Sequence, residues 1–344
     1  MKAQRITVIG AGEMGSGIAQ KFAMQGMLVE LVDRTQDILD RSRDRIRENL
    51  NTLVEGEYLS REQADCVLPR VRLGSDLQVA KDSRFVLESV TESLQLKQSL
   101  LRQLDEICTG ETVLATNTSS LSISRIAAAT LKPERVIGCH WVNPPYLIPL
   151  VEVVLGDCTS QGTADYCVGL LRALGVVPAI CRKDAPGFVI NRLQRVIQSE
   201  VLDLVERGVV SLEDADNVVR LGLGARLALH GPLKINDLVA DKTLSLHGFE
   251  YMFRETGDPR FKPSALLREK VEQGALGIKS GKGWYDYSGK SFEQLKKDRD
   301  LGFVKIIRFL RSGGFYPQET QASGMPVSDP GPQEANLNAK ERGE

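Results

Sequence analysis

The chain has 344 residues, which is long for one domain and sufficient for two. Its 44 Lys and Arg residues nearly cancel 45 Asp and Glu residues, so neither nucleic acid nor an acidic membrane surface is an expected partner. The six cysteines show no metal-ligand spacing, which predicts buried thiols in a reducing compartment and no metal site. There is no apolar signal segment and no run of transmembrane length, so we expect a cytoplasmic protein.

The first predicted element is an apolar strand, residues 6–9, that leads directly into a G-x-G-x-x-G sequence and then a helix. This context is the dinucleotide-binding fingerprint. Gly10 allows the tight turn, Gly12 lets the backbone approach a pyrophosphate, and Gly15 lets helix and strand pack closely. The pyrophosphate would lie at the positive end of the helix. The predicted contacts are Gly10, Gly12, Glu13, Met14 and Gly15.

The second predicted strand, residues 28–32, ends at Asp33. A carboxylate at this position accepts a hydrogen bond from the ribose 2′-hydroxyl and repels a 2′-phosphate. The sequence therefore predicts NAD rather than NADP as cofactor, although the neighbouring Arg34 opposes part of that preference.

Further short apolar runs alternate with helical sequence, which predicts an α/β fold: a doubly wound Rossmann-type parallel sheet with helices on both faces. The later predicted strands are residues 71–73, 85–88, 113–116, 135–140, 150–154 and 176–180. Beyond them, apolar residues follow helical spacing over residues 188–206, 212–221, 233–253 and 264–273 and predict an all-helical C-terminal domain. The end of the chain is rich in Pro, Gln, Ser, Gly and Asn, which predicts disorder. The predicted domains are residues 1–184, 185–315 and 316–344.

Two side chains on adjacent predicted strands suit general acid–base chemistry. His140 ends one strand, on the ligand-binding side of a doubly wound fold, and Glu152 lies on the next strand. A carboxylate beside an imidazole fixes its tautomer and stabilises the imidazolium, as the base of an alcohol oxidation requires. The structural alternative is a core histidine with its hydrogen bonds satisfied and an exposed strand glutamate.

Several motifs in order resemble the L-3-hydroxyacyl-CoA dehydrogenase family from residue 5 to about residue 290. They are the 116–121 sequence TNTSSL, His140-x-x-Asn143-Pro144, Glu152, the 186–192 sequence PGFVINR and the 277–287 sequence GIKSGKGWYDY. The resemblance implies a two-domain, NAD-dependent enzyme of fatty acid metabolism that forms a homodimer. It also implies oxidation of the secondary 3-hydroxyl of an L-3-hydroxyacyl-CoA to the 3-oxo product.

The resemblance implies a role for each matching residue. His140 would be the base, Glu152 its orienting partner, and Ser119 and Asn191 would hold the substrate oxygens. The implied further cofactor contacts are Glu92, Lys97, Ser119, Asn143 and Lys279. The alternatives are structural: Ser119 would cap the next helix, Asn191 would be a polar residue at a helix start, and both lysines would be solvated.

The substrate form stays open between two branches of the superfamily. The family positions that contact CoA correspond to Asn49 and Gly56, and residues 50–60 contain no lysine or arginine, whereas a surface for CoA phosphates is normally basic. Residues 143–150 and 222–226 resemble the L-gulonate 3-dehydrogenase (lambda-crystallin) branch, where Arg226 would pair with a free carboxylate. The alternative substrate is thus a free, polar 3-hydroxy acid similar to L-gulonate or carnitine. The 118–120 sequence TSS fits the acyl-CoA branch.

Two other classes of protein are less consistent with the sequence. The beta-hydroxyacid dehydrogenase group places a lysine four residues before an asparagine, but Gly187 lies four residues before Asn191. A non-catalytic NAD-binding or crystallin-like protein is expected to lose the His/Glu pair, and both residues are present.

Overall fold

The computed structural model describes residues 5–315. Contacts divide the chain into two compact units, one ending at Glu200 and the other beginning at Val201. The predicted domain boundary after residue 184 stays a prediction. The predicted disordered tail, residues 316–344, lies outside the described residues.

The first unit is built on an eight-stranded sheet with strand order β3-β2-β1-β4-β5-β6-β7-β8. Every neighbouring pair is parallel except β6 and β7, which are antiparallel. This mostly parallel architecture confirms the predicted fold class. The strands are β1 (Arg5–Ile9), β2 (Leu28–Val32), β3 (Val71–Gly74), β4 (Phe85–Glu88), β5 (Val113–Thr116), β6 (Val136–Trp141), β7 (Leu150–Val154) and β8 (Val177–Cys181).

Helices cover both faces of this sheet, because the strands are apolar on both sides and must be buried on both. One face packs against α1, α2 and α6, through side chains such as Phe22 and Ile46. The other packs against α4 and α5, through side chains such as Leu101 and Ile126. The helices of this unit are α1 (Glu13–Met24), α2 (Gln36–Glu55), α3 (Arg61–Asp65), α4 (Leu94–Ile107), α5 (Ile123–Ala127) and α6 (Gln161–Ala173), and α7 (Ile190–Glu206) begins in it.

The antiparallel pair has a local cause. Residues 142–149 join β6 to β7, and this connection is shorter than the dozen or more residues that a parallel crossover needs. The chain therefore turns back on itself, and His140 pairs in register with Glu152. Cross-strand partners of this kind lie on the same face of a sheet, so the two side chains are brought together.

The second unit is helical, as predicted, but its helices differ in detail from the prediction. The predicted single helix over residues 233–253 is two helices, because the Asp241 side chain accepts from the Thr243 N–H and starts a new one. The helix predicted over 212–221 changes at Val218 into a π-helical segment, Val218–Gly224. The helices are α8 (Leu212–Asn217), α9 (Ala225–Leu227), α10 (Pro232–Val239), α11 (Lys242–Thr256), α12 (Ala265–Glu272) and α13 (Phe292–Ser312).

Helix α13 was not predicted. Its start carries a sequence signal, since the Ser291 side chain caps the helix by accepting from the Gln294 N–H. Phe292 and Leu295 on its first turns pack against the buried side chains of Leu238, Ile278 and Tyr287. Among the helices of residues 5–315, none is long and apolar enough to cross a membrane.

Candidate active site

The glycine-rich turn after β1 has the geometry that a dinucleotide requires. Gly10 has a φ of 99°, and a Cβ there would lie 2.5 Å from the Ser89 carbonyl oxygen. A Cβ on Gly15 would lie 1.7 Å from the Gly10 carbonyl oxygen. A Cβ on Gly12 would meet no atom within 4 Å, so the backbone at the start of α1 faces open space. The turn is therefore closed toward the protein and open toward a ligand, which fits a pyrophosphate at a helix N-terminus.

A cavity of about 380 Å³ opens on one side of this turn, and we call it the Asp33 cavity. Asp33 and Arg34 lie on its wall, together with apolar side chains such as Ile38 and Leu77. The Asp33 carboxylate is oriented by two backbone N–H groups, from Ala11 to Oδ2 and from Arg34 to Oδ1, each at 2.7 Å. This combination of an apolar wall and a fixed carboxylate suits the adenosine half of a dinucleotide.

A second cavity of about 640 Å³, the His140 cavity, opens on the other side of the turn. The two cavities share Gly12, Ser89, Val90 and Thr91, so one elongated ligand can extend through both. Most of the predicted site residues of the first unit line this second cavity. They are Gly12, Glu13, Met14, Glu92, Ser119, His140, Asn143 and Asn191.

The predicted His/Glu pair is formed. His140 Nδ1 lies 2.8 Å from Glu152 Oε2, and the two residues are 8% and 1% exposed. Glu152 Oε1 accepts the backbone N–H groups of Val189 and Ile190, at 2.8 and 2.9 Å. Burial by itself would raise the pKa of Glu152, but the hydrogen bonds from His140, Ile190 and Val189 outweigh burial and lower the pKa. An ionised carboxylate only accepts hydrogen bonds, so His140 donates from Nδ1, and in the neutral imidazole the lone pair is then on Nε2.

The chain around α7 holds this pair in place. Phe188 lies just before the helix with a φ of 49°, and its ring centroid is 5.6 Å from that of His140. Asn191, in the first turn of α7, donates from Nδ2 to the Ser119 carbonyl oxygen at 2.8 Å. The start of α7 therefore contacts both Glu152 and the loop that carries Ser119.

Glu92 organises the loop that follows β5. Its Oε1 accepts from Thr118 Oγ1 at 2.6 Å and from the backbone N–H groups of Ser119 and Ser120 at 3.0 and 3.2 Å. Burial raises the pKa of Glu92, but the bond from Thr118, the charge of Lys97 and the remaining donors together lower it. Glu92 is thus held as an anion that fixes the backbone at Ser119.

The two lysines named in the sequence differ in their surroundings. Lys97 is not solvated: it is fully buried and lines neither of the two cavities. Lys279 is exposed in the second unit, where its Nζ lies 5.9 Å from the ring centroid of Phe292. Its cofactor contact stays a prediction.

The structure adds Asn117, which the sequence reasoning missed. Its Oδ1 accepts from the Trp141 N–H at 2.9 Å and its Nδ2 donates to Ser89 Oγ at 3.1 Å, so it joins the end of β6 to the residue that follows β4. A signal was present, because Asn117 directly follows β5 at the carboxyl edge of the sheet.

The residues at the family's CoA positions have local roles in the first unit. Asn49 Nδ2 donates to Gln20 Oε1 at 3.0 Å, which links α2 to α1. Gly56 ends α2. Arg226 lies in α9 of the second unit and is exposed. Within residues 5–315 there is no group of three His, Cys, Asp or Glu side chains that could hold a metal ion.

Comparison with known proteins gives the same family over both parts of the chain. The family model described as "3-hydroxyacyl-CoA dehydrogenase, NAD binding domain" matches residues 5–185, and the "3-hydroxyacyl-CoA dehydrogenase, C-terminal domain" matches residues 187–287. A probable 3-hydroxybutyryl-CoA dehydrogenase from Deinococcus radiodurans is 39% identical over 81% of this chain and 99% of its own length.

A crystal structure of a 3-hydroxyacyl-CoA dehydrogenase from Archaeoglobus fulgidus superposes with a TM-score of 0.76 at 33% identity, over 90% of this chain and 99% of that one. A 5-formyl-3-hydroxy-2-methylpyridine 4-carboxylate 5-dehydrogenase from Mesorhizobium japonicum is 31% identical over 89% of this chain and 98% of its own. The chain belongs to the 3-hydroxyacyl-CoA dehydrogenase family and is an NAD-dependent oxidoreductase that acts on CH–OH groups.

Proposed function

We propose that the protein oxidises the 3-hydroxyl of an L-3-hydroxyacyl-CoA to the 3-oxo product, as an enzyme of fatty acid metabolism. The observation that supports this most is the 2.8 Å contact between His140 Nδ1 and Glu152 Oε2 beside a cavity that continues into the Asp33 cavity. An imidazole that is oriented to act as a base therefore lies next to the two cavities that could hold a dinucleotide.

In this proposal each residue has a distinct task. When bound, NAD supplies the hydride acceptor. His140 Nε2 takes the proton of the 3-hydroxyl, and Glu152 stabilises the imidazolium that forms. The Ser119 hydroxyl and the Asn191 amide hold the substrate oxygens. Asn143 lines the same cavity, where its Nδ2 donates to Glu13 Oε1 at 3.0 Å. A non-catalytic role is not favoured, because the pair is intact and faces a cavity.

The alternative is a free polar 3-hydroxy acid, with Arg226 as partner of its carboxylate. The Mesorhizobium japonicum relative, 31% identical to this chain, has a name that denotes a free carboxylate and not a CoA ester. We favour the thioester because family models that name acyl-CoA match both parts of the chain.

A substrate panel tests the choice. NADH formation is followed at 340 nm with L-3-hydroxybutyryl-CoA, free 3-hydroxybutyrate, L-gulonate and carnitine. A hydrogen bond to a charged group is worth about 1.5–3 kcal/mol. If the substrate is the thioester, its kcat/KM is expected to exceed that of each free acid by about 10-fold or more, the worth of one such bond to the CoA group. A higher kcat/KM for L-gulonate would contradict the proposal.

The Arg226→Met variant distinguishes the two substrate forms further. With a CoA substrate its kcat/KM is expected to stay within about twofold of wild type, since the thioester has no free carboxylate with which Arg226 could pair. A loss of 10-fold or more on L-gulonate, with no turnover of the thioester, would support the free-acid branch instead.

The Asp33→Ala variant tests the cofactor assignment. The change removes the acceptor for the ribose 2′-hydroxyl and the charge that opposes a 2′-phosphate. We expect kcat/KM for NAD to fall about 10-fold, because a charged hydrogen bond is lost, and the preference for NAD over NADP to narrow by a similar factor. The measurement is kcat/KM with each cofactor at saturating substrate. Equal use of NAD and NADP by the wild-type protein would contradict the assignment.

A homodimer is the proposed assembly, and the surface of α7 supports it. No residue of α7 is buried, and Leu193 and Val196 are each 58% exposed. An apolar helix face of this kind marks an interaction surface. We propose that a second copy of the chain covers it. A cytoplasmic location is part of the same proposal and is consistent with six cysteines that form no disulfide.

The Leu193→Glu variant tests the dimer. A charge in an apolar interface costs free energy, so the variant is expected to sediment as a monomer at a concentration where the wild-type chain is a dimer. Gln198→Glu is the matched control on the same helix, because its side chain is exposed and a glutamate there can still accept from Arg195. A Leu193→Glu variant that still sediments as a dimer would contradict the proposal that this face of α7 forms the dimer interface.

A further inference from the structure

The side chain of Lys97 is enclosed by acceptors. Its Nζ lies 2.9 Å from each carboxylate oxygen of Glu88, 3.4 Å from the Val90 carbonyl oxygen and 3.4 Å from Glu92 Oε2. An ammonium has three donors, and these four acceptor atoms are enough to satisfy all of them. Because Lys97 is also fully buried, it has neither a donor nor an exposed surface to offer a cofactor.

The two carboxylates around Lys97 lie at the end of β4 and in the loop that follows it. Glu88 is the last residue of β4 and pairs in register with Thr116, the last residue of β5. The Thr116 hydroxyl donates to Glu88 Oε1, and the Val90 N–H donates to Oε2 at 3.2 Å. Glu88 is completely buried. A buried carboxylate is stable only with a counter-charge and with its hydrogen bonds formed, and Lys97 supplies the counter-charge.

The second carboxylate, Glu92, links Lys97 to the proposed substrate site. Glu92 uses Oε2 toward Lys97 and Oε1 toward the loop after β5, where it accepts from the Ser119 N–H at 3.0 Å. The Ser119 carbonyl in turn accepts from the Asn191 amide. A continuous series of polar contacts therefore joins Lys97 to the two residues proposed to hold the substrate oxygens.

We propose that Lys97 is a positioning residue: its buried ammonium neutralises Glu88 and fixes Glu92, and Glu92 fixes Ser119. This proposal rests on the role proposed for Ser119 in the dehydrogenase reaction. It differs from the contact with cofactor that the family resemblance implies for Lys97.

The test compares Lys97→Met, Glu88→Gln and the double variant Lys97→Met/Glu88→Gln with the wild-type protein. Lys97→Met keeps the length of the side chain but leaves a buried carboxylate without a counter-charge. We expect its Tm to fall by about 10 °C. Its kcat should fall about 10²-fold, because a small displacement of a positioning group has that effect. The NADH dissociation constant should stay within about twofold of wild type.

The double variant removes both charges, while the amide oxygen of the introduced glutamine can still accept from Thr116. We expect it to recover most of the lost Tm, since the buried charge imbalance is gone, but little of the lost kcat, because Glu92 still lacks the ammonium that fixes it. Lys81→Met is the control, because Lys81 is exposed in the same unit. NADH binding and Tm do not depend on the substrate, so these results stand even if the proposed thioester is wrong.

Three outcomes would overturn the proposal. The first is a Lys97→Met variant that binds NADH 10-fold more weakly with no recovery in the double variant, which would make Lys97 a cofactor ligand. The second is a lower Tm with an unchanged kcat, which would make its role purely structural. If Lys97→Met does not fold, the double variant decides: a folded protein with normal NADH binding and a kcat at least about 10-fold below wild type supports the proposal. An unfolded protein, weak NADH binding or a wild-type kcat contradicts it.

Discussion

The His140→Asn variant is expected to oxidise substrate with a kcat about 10²- to 10⁴-fold below that of the wild-type protein, because general base catalysis contributes about that much. Asparagine can keep a hydrogen bond to Glu152 from its side-chain amide, so the carboxylate retains a partner. It has no nitrogen lone pair that could take the hydroxyl proton. The variant should therefore have a lower rate of the chemical step and an unchanged fold.

Three measurements separate these effects: kcat with L-3-hydroxybutyryl-CoA, the NADH dissociation constant by fluorescence titration, and Tm. The last two are expected to stay near wild type, since His140 is not assigned to the nucleotide. His247→Asn is the matched control, because His247 is an exposed residue of the second unit. A kcat within about threefold of wild type for His140→Asn would remove His140 as the base.

The Glu152→Gln variant is expected to lose about 10²- to 10⁴-fold in kcat by a different route. The N–H groups of Val189 and Ile190 need an acceptor, so they hold the amide oxygen of the introduced glutamine at the position of Oε1. The amide NH₂ must then face His140 Nδ1 and donate to it. His140 is forced into the tautomer with its proton on Nε2, which has no lone pair for the substrate hydroxyl.

The Glu152 carboxylate also makes the stability of the folded protein depend on pH. The pKa of Glu152 is lowered in the folded protein, so its stabilising contribution is present above the ordinary pKa near 4.5 and is lost as pH falls through the lowered value. Tm should therefore decline less between pH 5 and pH 3 in Glu152→Gln than in wild type. A wild-type kcat for Glu152→Gln, or an equal decline of Tm, would contradict this role.

All eight strands lie within a residue or two of their predicted positions. Each is a short apolar run between helical segments, and this pattern is carried by local sequence. The antiparallel orientation of β7 was not predicted, although the short connection over residues 142–149 contained the information. The division at Asp241 was missed because α10 and α11 have continuous helical periodicity across it.

The site was predictable in part. His140 and Glu152 are in contact as the sequence suggested, because strand register brings them together. The burial of Lys97 could not be predicted, since a lysine near a helix start is normally solvated. Glu88 was expected at the end of a predicted strand, but only the fold shows that this carboxylate contacts Lys97. The hydrogen bonds from the backbone N–H groups of Val189 and Ile190 to Glu152 could not be predicted either. Every residue except proline has a backbone N–H group, so the residue type does not show which acceptor that group meets.

The tautomer of His140 tests the account most directly, because the proposed proton transfer depends on it. The sequence has three histidines, so ¹⁵N-histidine labelling with the His140→Asn variant as reference assigns the signal. For the neutral imidazole we predict the proton on Nδ1 and an unprotonated Nε2 in wild type, and the reverse tautomer in Glu152→Gln. A wild-type protein with its proton on Nε2 would contradict the central claim that Glu152 prepares His140 to act as the base.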